Sequence, residues 1–317
     1  RPYPMEDNMG LKARTIKAVI RKKIDAWLES IEDEDLRKLC AKEVIVTGGC
    51  IASMQLGEKI NDFDVYLRTK ETVERITDYY VEKFLAKRKP QEGIPVDIRR
   101  ESLKDSNGRD RVRIVVKSAG VANVDQETDY AYFEGRPDHE AGEYLEEAFD
   151  PLSDVDIEPV PDTMPDFEPV FLSSNAISLK GKIQLVIRFF GDPDEIHENY
   201  DFAHCTSYWT PDGLVLRPEA MEALLTKELR YQGSRYPLCS IIRTRKFIQR
   251  GWRINAGQYL KMVMQLQEMD LKDPKVLEEQ LTGVDVAYFS QMIHRLMEKD
   301  PTKVDTAYLT EIIDRMF

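Results

Sequence analysis

The chain is poor in the side chains that zinc sites and disulfide scaffolds need. Its 317 residues include only four cysteines and four histidines. Cys40, Cys50, Cys205 and Cys239 form no C-x-x-C pair, and the His204–Cys205 neighbours stand alone, so zinc spacing is missing. Free, buried thiols in a reducing compartment are the expectation. Long apolar runs are missing too: none approaches the roughly 18 residues of a membrane span. No charged, apolar and small-residue leader opens the chain. These absences exclude a membrane protein or a secreted disulfide scaffold and predict a cytoplasmic one with no membrane partner. The length allows two domains, each with a core of its own.

Basic charge is also scarce overall, since the formal net charge is −12. The deficit is local. Between Asp125 and Glu168 sixteen acidic residues face a single basic one, Arg136, which leaves the remainder of the chain about +3. Prolines 151, 159, 161 and 165, with Pro169 just beyond, add to the charge density, and together they predict an exposed insertion over 121–168. It reads as a solvated loop, as an arm that docks a protein partner, or as a nucleic-acid mimic covering a basic groove.

Apolar residues recur at helical spacing over 11–31 (Ile16, Val19, Ile20, Ile24, Trp27, Leu28, Ile31) and again over 34–41, so residues 1–42 are expected to pack as helices on the sheet domain. "EVIVT" and "FDVYL" read as strands, "KETVERITDYYVEKFLAKR" as a helix ended by Pro90, and "RVRIVVKS" as a strand of the same sheet. "PVFLS", "AISL" and "KIQLVIRFF" resume it after the insertion. The last of these carries Lys182, Gln184 and Arg188 on its polar face, and "DFAHCTSYW" reads as a further strand beginning at Asp201. From about Pro218 the pattern turns helical. A repeat at a 20-residue offset, "VDVAYFSQMIHRLM" and "VDTAYLTEIIDRMF", suggests two similar packing helices at the end. The expected fold class is therefore α/β (α+β): a mixed-sheet domain over 43–217 that contains the acidic insertion, then an all-helical domain over 218–317.

Chemistry concentrates in "VIVTGGCIASMQLGEKINDFDVYLRT". Gly48 and Gly49 lack a Cβ and let the backbone turn sharply beside a phosphate. The helix they open aims unpaired N–H groups at an anion, and Ser53 adds a hydroxyl. Asp62 and Asp64 are two apart on a strand, so both carboxylates point one way and Phe63 the other. Two like charges held together want a cation between them. Magnesium ions bridging triphosphate oxygens would fill that role.

Glycine pair, intervening helix and D-x-D strand together resemble the polymerase-β nucleotidyltransferase superfamily, which includes tRNA CCA-adding enzymes, poly(A) polymerases and aminoglycoside nucleotidyltransferases. With "KIQLVIRFFGDPDEIHENYDFAHC" the chain is similar to nucleotidyltransferase-like proteins of tailed bacteriophages, over roughly residues 40–210. Cys50 stands where many members have serine, which moves the phosphate-binding hydroxyl to Ser53. The resemblance implies a third carboxylate on a later strand. Asp201 is the candidate, with an N-cap or turn residue as the plainer reading. It also implies two magnesium ions (or manganese) on Asp62, Asp64 and Asp201, a nucleoside triphosphate (ATP or CTP) as donor, and transfer of the nucleotide to a hydroxyl. A phage-encoded member would work in the host cytoplasm.

In related enzymes a helical domain supplies a cation and a stacking ring. Here Arg243 and Lys246, with Arg250, fall on one helix face, and Tyr231 and Tyr236 are nearby, while a solvated basic face remains the plain reading. The basic, aromatic-rich stretch favours an RNA 3′ end as acceptor. A protein hydroxyl, a small molecule, a second nucleotide, or a nucleotide-holding protein without turnover stay open.

Overall fold

The structure is a computed structural model and describes residues 10–87, 96–105, 107–118, 133–134, 167–173 and 175–273, together with 276, 277, 280, 307, 310, 311 and 314. Most of the acidic insertion, Pro90 and most of the C-terminal repeat lie outside the described residues. The chain divides into two compact units. One holds the sheet and includes Ser207–Val215. The other is built from His197–Thr206 and the chain from Leu216 onward.

In the sheet unit, α1 (Ala13–Glu29) buries Ile16, Ile20, Ile24 and Trp27, the face set by their spacing. Asp33 caps α2 (Glu34–Glu43) by accepting the Leu36 N–H, with Glu34 and Asp35 in the first turn to complement the dipole. β1 (Ile45–Thr47), α3 (Gly49–Leu56), β2 (Phe63–Tyr66) and α4 (Lys70–Lys87) come next. Trp27 donates from Nε1 to the Tyr80 hydroxyl at 2.9 Å, which ties α1 to α4.

β3 (Val96–Lys104) and β4 (Asp110–Ser118) then form a hairpin of their own. "RVRIVVKS" was expected in the main sheet. It pairs instead with β3 alone, and the hairpin lies along α4 through Arg100–Asp78 at 2.8 Å and the Ser102–Glu74 hydrogen bond.

The main sheet continues with β5 (Phe133–Glu134), β6 (Pro169–Leu172), β7 (Ala176–Leu179) and β8 (Ile183–Val186), and after the short helix α5 (Pro193–His197) with β9 (Tyr208–Thr210) and β10 (Gly213–Val215). The order is β10-β9-β1-β2-β8-β7-β6-β5. β2 and β8 run parallel, and the other neighbours are antiparallel. β8 ends at Val186, short of the expected run, because the N–H groups of Ile187 and Arg188 turn to the Asn175 carbonyl.

Register gives the sheet two unlike faces. Trp209, Val46, Val65, Leu185, Ile177 and Leu172 form one continuous cross-strand row, each at most 1% exposed. The adjacent row on the opposite face reads Tyr208, Thr47, Asp64, Gln184 and Ser178, polar throughout. Burying one apolar side chain of this size contributes roughly 1.5–3 kcal/mol. A one-residue slip would turn the whole apolar row to the polar face, so the register is strongly specified.

In the second unit, α6 (Pro218–Thr226), α7 (Pro237–Gln249) and α8 (Ala256–Leu266) match the expected helical spacing. The expected strand from Asp201 is not formed there. Phe202 makes a single bridge to Tyr231, Ala203–Cys205 is a 3₁₀ turn closed by the Thr206 hydroxyl on the Ala203 carbonyl, and strand pairing begins at Tyr208.

His204 is buried there among Phe202, Phe247 and Trp252, with its ring 4.3 Å from that of Trp252. Burial, aided by the charges of Arg243 and Arg250, pushes its pKa down to about 3.

The packing of Glu43 and His204 sets two measurable outcomes. Glu43 is buried, and its carboxylate accepts from the N–H groups of Arg68 and Thr69 and the hydroxyls of Thr69 and Thr72, fastening the corner between β2 and α4. Glu43→Ala should cost about 2–4 kcal/mol in urea unfolding, because several buried donors lose their acceptor at once; a loss under about 1 kcal/mol would mean the corner is held elsewhere.

For His204 the unfolded chain binds the extra proton, so its contribution is full above pH 6.5 and is lost as the pH falls toward about 3. Its share of the slope is up to about 1.4 kcal/mol per pH unit. His204→Leu should unfold with a pH dependence shallower by one proton between pH 6.5 and 5.

Candidate functional site

In the sheet unit the sequence-predicted residues gather at one end of the sheet. β1 delivers Thr47, whose hydroxyl donates to the Ser207 carbonyl at 2.9 Å and fixes the strand end. Gly48 is next, at φ 93, ψ −154, a conformation that is essentially glycine-only. It is the residue that lets the chain break from strand into α3. Gly49 is the first residue of that helix, and a Cβ built on it meets nothing within 4 Å. The protein's own packing therefore does not demand the second glycine, and the space beside it is open. Gly57, at φ 70, ends α3 in a left-handed cap.

β2 begins beside this turn. Phe63 is 4% exposed, with the Lys23 ammonium 5.6 Å from its ring centroid, while Asp62 is exposed and Asp64 half-buried. The ring enters the core and Asp64 takes the polar side, whereas Asp62, expected on the strand with it, precedes β2. Asp64 is registered between Thr47 on β1 and Gln184 on β8. The strand next to it thus supplies an amide at this register.

Ser53, expected to replace the missing serine, is 8% exposed and sits a full turn into α3, beyond the first-turn N–H groups. Cys50 is 3% exposed, with its Sγ directed at the Thr47 carbonyl at 3.9 Å. Neither is among the open groups at the helix start.

In the helical unit, Asp201 is 7% exposed and accepts from Arg243 Nη1 at 3.1 Å, while its backbone carbonyl accepts the Gln232 N–H. Arg243 and Lys246 lie on the exposed side of α7, with Arg250 at its C-cap. The two tyrosines differ from the expectation of a stacking platform. Tyr231 is 4% exposed, packs edge-on against Phe202, accepts the Ser234 N–H and donates its hydroxyl to Gln265; Tyr236 is 8% exposed and opens α7. Burial leaves neither ring a free face for a base, because both serve the unit's core. Burial also raises the Tyr231 pKa, so its hydroxyl stays a hydrogen-bond donor.

Among the described residues no group of three or more His, Cys, Asp or Glu forms a metal cage. Two carboxylates plus substrate phosphates are nevertheless what magnesium commonly takes. Asp62 and Asp64 fit that role by donor chemistry: both are hard oxygen ligands, with no thiolate or imidazole in the polar row that includes Asp64.

The class defined by these observations is a mixed α/β sheet protein with a helical unit, whose polar sheet end joins a glycine-opened helix to two acids. Residues 18–227 match the model of the Gad2 family, described as Gabija anti-defense 2 family protein, and the chain belongs to that family. No curated protein matches the chain. Solved structures that resemble it include the Thermotoga maritima CCA-adding enzyme complexed with tRNA (14% identity, TM-score 0.36, 88% of this chain and 53% of that one). Another is the Bacillus stearothermophilus CCA-adding enzyme with CTP (13%, TM-score 0.37, 87% and 52%). A third is a tRNA-processing enzyme in an apo form (11%, TM-score 0.37, 100% and 76%). The chain spans about half the length of the first two. The fold assignment rests on the strand register above and not on these likenesses. No helix among the described residues is long and apolar enough to cross a membrane.

The glycine pair can be separated by substitution. Gly48→Ala should lower stability by about 1–3 kcal/mol, since its backbone region is closed to other residues. Gly49→Ala should leave the melting temperature within about 2 °C, since its Cβ meets nothing, yet weaken nucleoside triphosphate binding by filling the open space. Equal melting losses in the two variants would count against the distinction.

Proposed function

We propose that this chain is a metal-dependent nucleotidyltransferase. It would move a nucleoside monophosphate from a nucleoside triphosphate, ATP or CTP, to a hydroxyl acceptor, with an RNA 3′ end favoured. The observation that carries the proposal is the polar end of the sheet. There Asp62 and Asp64 flank a core-bound Phe63, beside the open N-terminus of α3.

The helix start, with the space beside Gly49 open, would receive phosphate oxygens. Asp62 and Asp64 would hold magnesium, with manganese as an alternative. Bound there, the metal would supply charge neutralisation at the phosphorus under attack and on the departing pyrophosphate. β1 and β8, hydrogen-bonded on either side of β2, fix Asp64 on the polar face, so phosphates held there would be oriented against a rigid strand. Asp201 is carried from the sequence pattern as a third carboxylate, able to accept the acceptor's proton. Its ion pair with Arg243 would have to open or turn for it to do so.

RNA as acceptor is supported by the exposed cations of α7, Arg243, Lys246 and Arg250. The family description supplies the setting: transfer would serve to counter Gabija defence, in the host cytoplasm if the gene is carried by a bacteriophage. A second reading, a nucleotide-holding protein without turnover, is favoured by Gln184 standing where a carboxylate would complete the ladder beside Asp64.

Incubating the protein with labelled triphosphates, magnesium and either total RNA or no RNA should label RNA, and Asp62→Asn or Asp64→Asn should abolish labelling by at least about a hundredfold. Label in the protein alone would assign a protein acceptor. Binding of nucleotide and metal with no label anywhere would select the second reading, and label unaffected by both variants would overturn the site.

A further inference from the structure

In the helical unit, α8 carries more apolar surface than its described neighbours cover. Of its 11 residues Met262 alone is buried, while α7 packs beside it. Gln258, Met262 and Gln265 recur at i, i+4 and i+7 and form the inner face. There the Gln258 side chain accepts the Tyr231 N–H and that of Gln265 accepts the Tyr231 hydroxyl. Ala256, Leu260, Val263 and Met264 form a second stripe at i, i+4, i+7 and i+8, turned away from the first. Leu260 is 58% exposed, Val263 45% and Met264 59%. Single exposed apolar side chains are ordinary, but a contiguous stripe of them along a helix marks an interface.

The chain beyond α8 carries a matching pattern. After a turn in which the Asp273 N–H donates to the Asp270 carbonyl, it comes back to the start of α7. Leu277 is buried, and Gln280, also buried, donates its amide to the Arg235 carbonyl at 2.8 Å and accepts the Leu238 N–H at 3.4 Å. Farther on, Ala307, Thr310, Glu311 and Asp314 are helical, and all four are exposed. They stand at i, i+3, i+4 and i+7, one face of a helix. The opposite positions of the same period are Tyr308, Leu309, Ile312, Ile313 and Met316, all apolar. A segment as short as 304–317 is marginal as an isolated helix, so its helicity calls for burial of that second face.

We infer that the last helix of the chain, over 304–317, docks its apolar stripe on Leu260, Val263 and Met264 of α8. The two stripes belong to the same compact unit. The tether imposes no limit: α8 is about 16 Å long, and residues 281–303 reach up to roughly 75 Å when extended. It also favours this occupant over a second copy, because a tethered segment meets α8 at an effective concentration on the order of millimolar. In this arrangement Ala307, Thr310, Glu311 and Asp314 face outward, as they do in the structure. The inference is independent of the transferase reading.

Hydrogen exchange of the full chain, read by mass spectrometry, tests the docking. The backbone amides of 304–317 should exchange at least about tenfold more slowly than those of a synthetic peptide of that segment. Leu260→Lys and Met264→Lys, both at positions exposed enough to spare the fold, should each remove most of that protection and leave the amides of β1 and β2 unchanged. Cysteine pairs read the orientation. Met264→Cys with Ile312→Cys should join within one chain under mild oxidation, whereas Met264→Cys with Thr310→Cys should not, because Thr310 is on the outward face.

Protection unmoved by both lysine variants, or none in the wild type, would overturn the docking, as would equal cross-linking from Ile312→Cys and Thr310→Cys. Loss of protection confined to 284–297 would give the α8 stripe to the first repeat instead. Protection that rises with protein concentration alongside a doubled mass would give it to a second copy. Either of these results also overturns the inference.

Discussion

The placement of Phe63 in the core is the constraint on which the rest of the candidate chemistry depends. One buried ring between two aspartates commits β2 to a single orientation, since turning it over would bury both carboxylates and expose the ring. Pairing to β1 on one side and β8 on the other then makes that orientation rigid. Everything polar along Tyr208, Thr47, Asp64, Gln184 and Ser178 inherits its face from the apolar row behind it. Asp64 is held on that face by hydrophobic burial on the opposite side of the same strand.

A second consequence concerns charge. Lys23 of α1 lies over the Phe63 ring and donates to the Gly181 carbonyl in the β7–β8 turn, although these elements come from widely separated stretches of sequence. Glu43 works nearby in another manner: it is spent on backbone N–H groups and threonine hydroxyls and is saturated by them. Glu43 is structural because its acceptor capacity is met locally; Asp62 is exposed and Asp64 half-buried.

Much of this is legible in the sequence. The helical spacing of Ile16, Ile20, Ile24 and Trp27, the break at Gly48 and the two-residue alternation of Asp62 and Asp64 each arise from local periodicity, which backbone geometry enforces. Lys182 and Gln184 were visible as a polar face of "KIQLVIRFF", but nothing local says which strand lies beside them. The signal would have been the matched alternation of "DFD" and "KIQ", and it acquires meaning only once β8 is known to run parallel to β2. Tyr231 and Tyr236 illustrate the opposite case. An aromatic among arginines looks the same in sequence whether it faces solvent or fills a core, and here the core takes both rings.

Sequence alone determined the helices α1, α2 and α4, the glycine turn and the sidedness of Phe63 and Asp64, because these depend on interactions between residues a few positions apart. Tertiary structure decided the partners: the hairpin that leaves the main sheet, the 3₁₀ turn in place of a strand after Asp201, that residue's ion pair with Arg243, and the contact of Lys23 with Phe63. Those outcomes turn on which distant segments share a strand edge or a buried volume. Such long-range choices are made by the summed burial of the whole unit, a quantity that no short window of sequence contains.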